Sequence, residues 1–213
     1  MKKTLDRIFI DGLSGMAQGL FATLIIGTII QQIGAMVTGN TGAWIVLIGK
    51  VAAAMTGAGI GVGVARKFEA SQLVVVSAAT AGMVGAFAGK ILSGEILQNG
   101  AIVLAGPGEP LGAFVAAYLA IEVGILIAGK TKLDILITPL VTIGVGSAVG
   151  IFVGPPISKF MAWIGSLINW GTEQQPLIMG IVVSVLMGMI LTLPISSAAI
   201  GIVLNLSGLA AGA

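Results

Sequence analysis

Long apolar runs, separated by short polar or Gly/Pro-rich connections, follow one another from Gly12 to Leu209. A helix needs about 20 mostly apolar residues to cross the hydrocarbon core of a bilayer. The pattern predicts spans over Gly12–Val37, Ala43–Ala65, Leu73–Gly89, Leu111–Ala128, Ile135–Val153, Leu177–Leu193 and Ile195–Leu209. Two stretches do not read as simple crossings. Ile91–Gly106 reads as a half-helix or re-entrant arm, and Ile157–Trp170 as an interfacial or re-entrant helix set off by the Gly154-Pro155-Pro156 break. The expected architecture is all-α: a polytopic transmembrane helical bundle with broken or re-entrant helices, forming one domain over residues 1–213.

The sharpest irregularity is the turn Ala105-Gly106-Pro107-Gly108-Glu109-Pro110-Leu111-Gly112, set inside the apolar stretch from Ala101 to Ala128. Lipid offers no water to unpaired backbone groups, so broken backbone at that depth needs protein or a wet cavity around it. A carboxylate there is a functional candidate by default, and transporters build solute sites from helices interrupted in this way. Pro110 suits the first position of a helix, where its missing N–H would be unpaired anyway. Glu109 then lies beside the positive end of that helix. An ionised carboxylate accepts hydrogen bonds from several hydroxyls at once. Glu109, with the bare backbone of Gly106 and Gly108 and the helix start at Pro110, therefore outlines a site for a sugar or polyol. The alternative is a tight extracellular loop whose Glu is simply solvated.

Composition narrows the class further. Of 213 residues, 57% are hydrophobic and 8% charged, against about 25% charged in soluble domains; mean hydropathy is +1.12. Such a chain belongs in a lipid bilayer. Glycine supplies 33 residues, roughly double its usual share of about 7%, as close helix packing in lipid favours. The chain has no Cys and no His, which removes thiol redox chemistry, iron–sulfur ligation and the commonest zinc and haem ligand. It also removes a phosphoryl relay through His or Cys on this chain. No cofactor is implied, nothing marks an enzyme, and a net charge of +2 does not suggest nucleic acid binding.

Two further charges lie within predicted spans. Lys50 is about seven residues into its helix, roughly 10 Å at the helical rise, where its stem can snorkel to the interface or reach a solute. Glu122 lies deeper; pairing with a buried cation, proton coupling and a structural hydrogen bond are all open. In the first span, Asp11, Ser14, Gln18, Thr28 and Gln32 fall near one stripe at helical spacing, lining a cavity or joining neighbouring helices by hydrogen bonds. Gly57, Gly59, Gly61 and Gly63 form two overlapping GxxxG pairs, and Gly146, Gly150 and Gly154 continue the four-residue spacing. These are packing positions rather than nucleotide fingerprints, since no strand–turn–helix context surrounds them.

Basic residues set the orientation. With the N-terminus in the cytoplasm, Lys2, Lys3, Arg7, Arg66, Lys67, Lys130 and Lys132 fall inside, while Lys90 and Lys159 fall outside. The expected location is a bacterial inner membrane, with no cleavable signal peptide apparent. The final Ser207-Gly208-Leu209-Ala210-Ala211-Gly212-Ala213 has no charged anchor. That reads as a fragment of a longer membrane protein, or as a last helix completed by a partner.

Several segments resemble the membrane (IIC) component of phosphotransferase-system sugar transporters. The run from Lys3 to Met16, Lys-Thr-Leu-Asp-Arg-Ile-Phe-Ile-Asp-Gly-Leu-Ser-Gly-Met, is similar to the branch that includes the perfringolysin O regulator (PfoR-like). Ile137-Thr138-Pro139-Leu140 through Val153-Gly154-Pro155-Pro156-Ile157 resembles a fructose-type IIC span. Gly188 to Ala199 resembles the span carrying that family's Gly-Pro-x-Asn-Lys-Ala-Ala pattern, with Ser196-Ser197 where the pattern has Asn-Lys. The resemblance implies a homodimeric helical membrane protein that moves a sugar while soluble phosphotransferase-system partners phosphorylate it, with Glu109 nearest to the family's sugar-contacting acid. The PfoR-like branch implies an alternative: a membrane regulator of toxin-gene expression that keeps the permease fold without transporting.

Overall fold

The computed structural model describes residues 7–172 and residues 180, 181, 184, 185 and 188. Of the predicted span over Leu177–Leu193 only those last five residues are described, and the predicted span over Ile195–Leu209, the Ser196-Ser197 departure and the basic Lys2 and Lys3 lie outside the described residues.

Helix α1 runs over Arg7–Met36, with π-helical turns at Arg7–Gly12 and Phe21–Ile25. It is followed by α2 (Asn40–Ala54), α3 (Thr56–Lys67), α4 (Gln72–Ala86) and the short α5 (Ala88–Leu92). An antiparallel hairpin of β1 (Leu97–Gln98) and β2 (Ala101–Ile102) precedes α6 (Pro110–Ile127) and α7 (Asp134–Thr172). The protein is a helical bundle. By length and composition α1, α6 and α7 can each cross a membrane, and the bent pair α2–α3 makes a fourth candidate.

Small residues decide how the bundle closes. The first half of α1 packs on α3, α3 packs on α4 and α6, and α4, α6 and α7 pack on one another. The GxxxG glycines of α3 divide between two neighbours. Gly59 and Gly63 meet the backbone of Gly19 and Gly15 on α1, whereas Gly57 and Gly61 meet Gly82 and Ala78 on α4. On α7, a Cβ at Gly146 would meet Ala120 and Ala81 at 2.6 Å, and one at Gly150 would meet the Gly85 Cα at 2.9 Å. Any side chain at these positions would force the helices apart. Met16, Ile60, Val64, Val74 and Ile121 fill the remaining core with no exposed surface. Among the described residues the second half of α1 packs mainly on α2, through Gly27 against Gly49 and Gly34 against Gly42. The outer face of α2, with Trp44, Leu47, Ile48 and Val51, is exposed.

Four expectations are corrected. The span over Ala43–Ala65 is broken at Met55, where α2 and α3 meet at 50°; buried Thr56 donates its hydroxyl to the Ala53 carbonyl at 2.6 Å and secures the corner. The crossing over Leu73–Gly89 stops at Phe87, and Ala88–Leu92 resumes as a separate helix. Ile91–Gly106 is not a half-helix: after Leu92 it turns into the β1–β2 hairpin, whose Asn99 and Gly100 carry φ of 52° and 77°. Finally, Gly154-Pro155-Pro156 does not interrupt α7, which continues to Thr172 with Pro139, Pro155 and Pro156 inside it. A proline's φ suits a helix; the cost is the lost N–H and a clash with the carbonyl four residues back. Here Gly154 seats the helix against Ala88 and Gly85, which holds the segment in place.

The polar stripe of α1 joins no neighbouring helix through side-chain hydrogen bonds among the described residues. Thr28 donates to the Leu24 carbonyl of its own helix at 2.8 Å, and Asp11, Gln18 and Gln32 are exposed. The π-helical turn at Phe21–Ile25 shifts the angular register between the two halves of the stripe.

Candidate functional site

The acidic turn is docked in the corner between α4 and α5. The Glu109 N–H donates to the Ala86 carbonyl at 2.7 Å, and the Lys90 ammonium donates to the Ala105 carbonyl at the same distance. Between these anchors Gly106 and Gly108 adopt φ of 79° and 71°, a left-handed conformation that glycine enters without steric cost. Gly108 has a second reason to be glycine: a Cβ there would meet the Ala86 oxygen at 2.7 Å. Gly106 faces open space.

Glu109 is the N-cap of α6 and Pro110 follows at the first helical position. One carboxylate oxygen, Oε1, accepts the Leu111 N–H at 3.2 Å, satisfying one of the unpaired donors that every helix start leaves. Oε2 makes no hydrogen bond among the described residues, and no cation pairs with the group there. Pro110 is buried and Glu109 half-buried. The turn thus presents an acceptor in the positive field of a helix start, with backbone on either side.

The same corner receives α7. Gly112, one turn into α6, faces Gly85 and lies near the Gly154 Cα. Pro155 and Pro156 follow Gly154 directly, and by lacking N–H groups they leave the Ile151 and Phe152 carbonyls without intrahelical donors. Two discontinuities, the acidic turn and the proline pair, therefore lie side by side against the break at Phe87.

The other candidates are elsewhere. Glu122 is thirteen residues along α6 from Glu109, roughly 20 Å at the helical rise. It pairs with Arg7, Nε to Oε1 at 3.2 Å. The Arg7 guanidinium also lies 4.5 Å from the centroid of Phe68, and Phe68 meets Tyr118 edge-on at 5.8 Å. Lys50 is exposed on α2, beside Leu47, Ile48 and Val51. The structure brings Glu109, Gly108, Gly106 and Pro110 together and leaves Glu122 and Lys50 apart from them. It adds Lys90, which chain order marks only as a charge on the opposite side from the basic cluster. Among the described residues no three acidic side chains gather, so the geometry offers no metal cradle.

Charge separates by end. Arg66 and Lys67 close α3, Lys130 and Lys132 flank the connection into α7, and Arg7 pairs near the far end of α6. Lys90 and Glu109 occupy the opposite end.

Among curated proteins and among solved structures no significant match to this chain is found. A family model described as "Phosphotransferase system, EIIC" matches residues 10–213, nearly the whole sequence. With its apolar helices and broken crossings, the chain belongs to the phosphotransferase-system EIIC family of membrane transport components.

Proposed function

We propose that this permease domain binds and translocates a small neutral polyhydroxylated solute, a sugar or polyol, with Glu109 accepting its hydroxyl protons. The observation that carries this reading is the Oε2 of Glu109, which at its helix start has neither a hydrogen-bond partner nor a cation beside it among the described residues. Gly106 and Gly108 let the solute approach the backbone of the turn. Translocation moves one part of the bundle against the other around this point, and the adjoining proline pair supplies a hinge. The 1–213 chain acts as a single domain with its N-terminus in the cytoplasm, pairs with a second copy, and hands the solute to soluble phosphotransferase-system components. Lys50 and Glu122 have supporting roles in this scheme, at the interface and in the bundle, rather than contacting the solute.

A second reading is a membrane regulator that binds the solute without moving it, favoured by Ser196-Ser197 where the transporter pattern has Asn-Lys. Uptake of labelled hexoses and hexitols into proteoliposomes, beside equilibrium binding of the same compounds, separates the two. Uptake abolished by Glu109→Gln supports transport. Binding without uptake supports the regulator, and binding indifferent to Glu109→Gln overturns the role given to that carboxylate in both.

A further inference from the structure

A cavity of about 260 Å³ opens beside the acidic turn, lined by Lys90, Glu95, Leu97, Gln98, Val103 and Ala105. That is slightly below the roughly 300 Å³ at which drug-sized ligand sites begin, so it suits something of monosaccharide size. Its walls come from α5, the loop after it, the β1–β2 hairpin and the irregular segment leading into the turn. Opposite charges face the same space without meeting, because Lys90 and Glu95 form no ion pair. Lys90 has three donors, of which one goes to the Ala105 carbonyl at 2.7 Å. The ammonium also lies 5.6 Å from the Phe87 ring centroid, within the range of cation–π attraction.

We infer that this cavity is an outer subsite for a neutral polyhydroxylated solute, in which Lys90 donates to solute oxygens while Glu95 and Gln98 accept and donate to its hydroxyls. A cation and an anion lining one cavity favour a neutral ligand rich in both donors and acceptors over an anion or a cation. Lys90 also links the subsite to the turn. A solute oxygen competes with the Ala105 carbonyl for the ammonium, and a released Ala105 is next to Gly106, which has open space around it. Occupying the cavity therefore loosens one of the two anchors that hold the Glu109 turn, leaving the Ala86 anchor in place. The link to Glu109 rests on the function proposed above; binding in the cavity does not.

The test is a thermal-shift titration of the detergent-solubilised protein with mannitol, fructose and fructose 6-phosphate, comparing wild type with Lys90→Met, Lys90→Arg, Glu95→Gln and Glu109→Gln. A bound solute raises apparent stability by mass action. The expected result is a shift with the neutral probes that needs on the order of tenfold more ligand in Lys90→Met and Glu95→Gln, is largely kept in Lys90→Arg, and is absent with the phosphate ester. A merely structural Lys90 would lower the midpoint without moving the ligand dependence, and that outcome overturns the proposal. If Lys90→Met does not fold, Glu95→Gln decides, since Glu95 is exposed and makes no bond to the turn. Binding lost in Glu109→Gln but unchanged in Lys90→Met and Glu95→Gln sinks the subsite and spares the Glu109 site. The reverse pattern keeps the subsite and sinks the Glu109 site. No shift with either neutral probe in folded wild type overturns the subsite.

Discussion

Helix α6 carries a carboxylate at each end, and the two are treated oppositely. Glu122 is matched by Arg7 at 3.2 Å, with aromatic rings of Phe68 and Tyr118 packed around the pair. Among the described residues Glu109 has only its own helix start, a single N–H from Leu111. A paired charge is already answered and holds two segments together. An unpaired one at a helix terminus is stabilised by backbone yet keeps capacity for another partner. The contrast separates a strut from a docking point on one element, though both are glutamates in apolar text.

The contrast is broken most directly at Glu109. In Glu109→Gln the side-chain oxygen can still accept from Leu111, so folding should fall by less than about 1 kcal/mol, while hexitol affinity falls by roughly tenfold or more, the loss expected for a charge-assisted hydrogen bond. Glu122→Gln should leave that affinity within about twofold. Equal losses in equilibrium dialysis would erase the distinction.

The turn itself gives the next effect. Gly108→Ala puts a Cβ onto the Ala86 oxygen at a positive φ and should cost about 1–3 kcal/mol, seen as a lower melting midpoint. Gly106→Ala shares the positive φ but meets nothing, so it should cost about 1 kcal/mol. If the two variants melt together, the Ala86 contact is not holding the turn.

The smallest effect belongs to the strut. Arg7 and Glu122 are about a third exposed, at 39% and 31%, so breaking the pair should cost only about 0.5–1 kcal/mol. Arg7→Gln and Glu122→Gln should be less than additive in a double-mutant cycle. Additive losses would mean the two side chains stabilise the bundle independently.

Much of this was readable from the chain. The crossings of α1 and α6 emerge because each is a long apolar run, and at α6 the Glu109-Pro110 pair marks the start to the residue. The four-residue glycine spacing correctly marks where backbones touch, although it does not say that alternate glycines of α3 serve different neighbours. The hairpin was hidden by composition. Residues 91–106 are apolar enough to read as helix, and that outweighs the Asn99-Gly100 dipeptide, which is itself a strong hairpin signal. The continuity of α7 was hidden differently. Glycine followed by two prolines at Gly154-Pro155-Pro156 is a local argument for a break, and the contacts of Gly154 that override it come from α4 and α5, distant in sequence. Lys90 escaped notice because its partner is a backbone carbonyl, which no residue pattern reveals.

At 39 residues, α7 is about 58 Å long at the helical rise, nearly twice the roughly 30 Å of a bilayer's hydrocarbon core. Tilting it by about 40°, the upper end of what membrane helices show, would still accommodate only some 26 residues. Because the helix continues through Pro155-Pro156, the remainder stands clear of the hydrocarbon core. With Asp134 at one edge of the core, that tilt would bring Phe160 and Trp163, stacked at 6.2 Å between ring centroids, to the depth of the lipid head groups. Aromatic rings gather at that depth, and in that placement the far end of α7 would serve as a float, setting how deep the proline pair and the acidic turn beside it ride in the membrane.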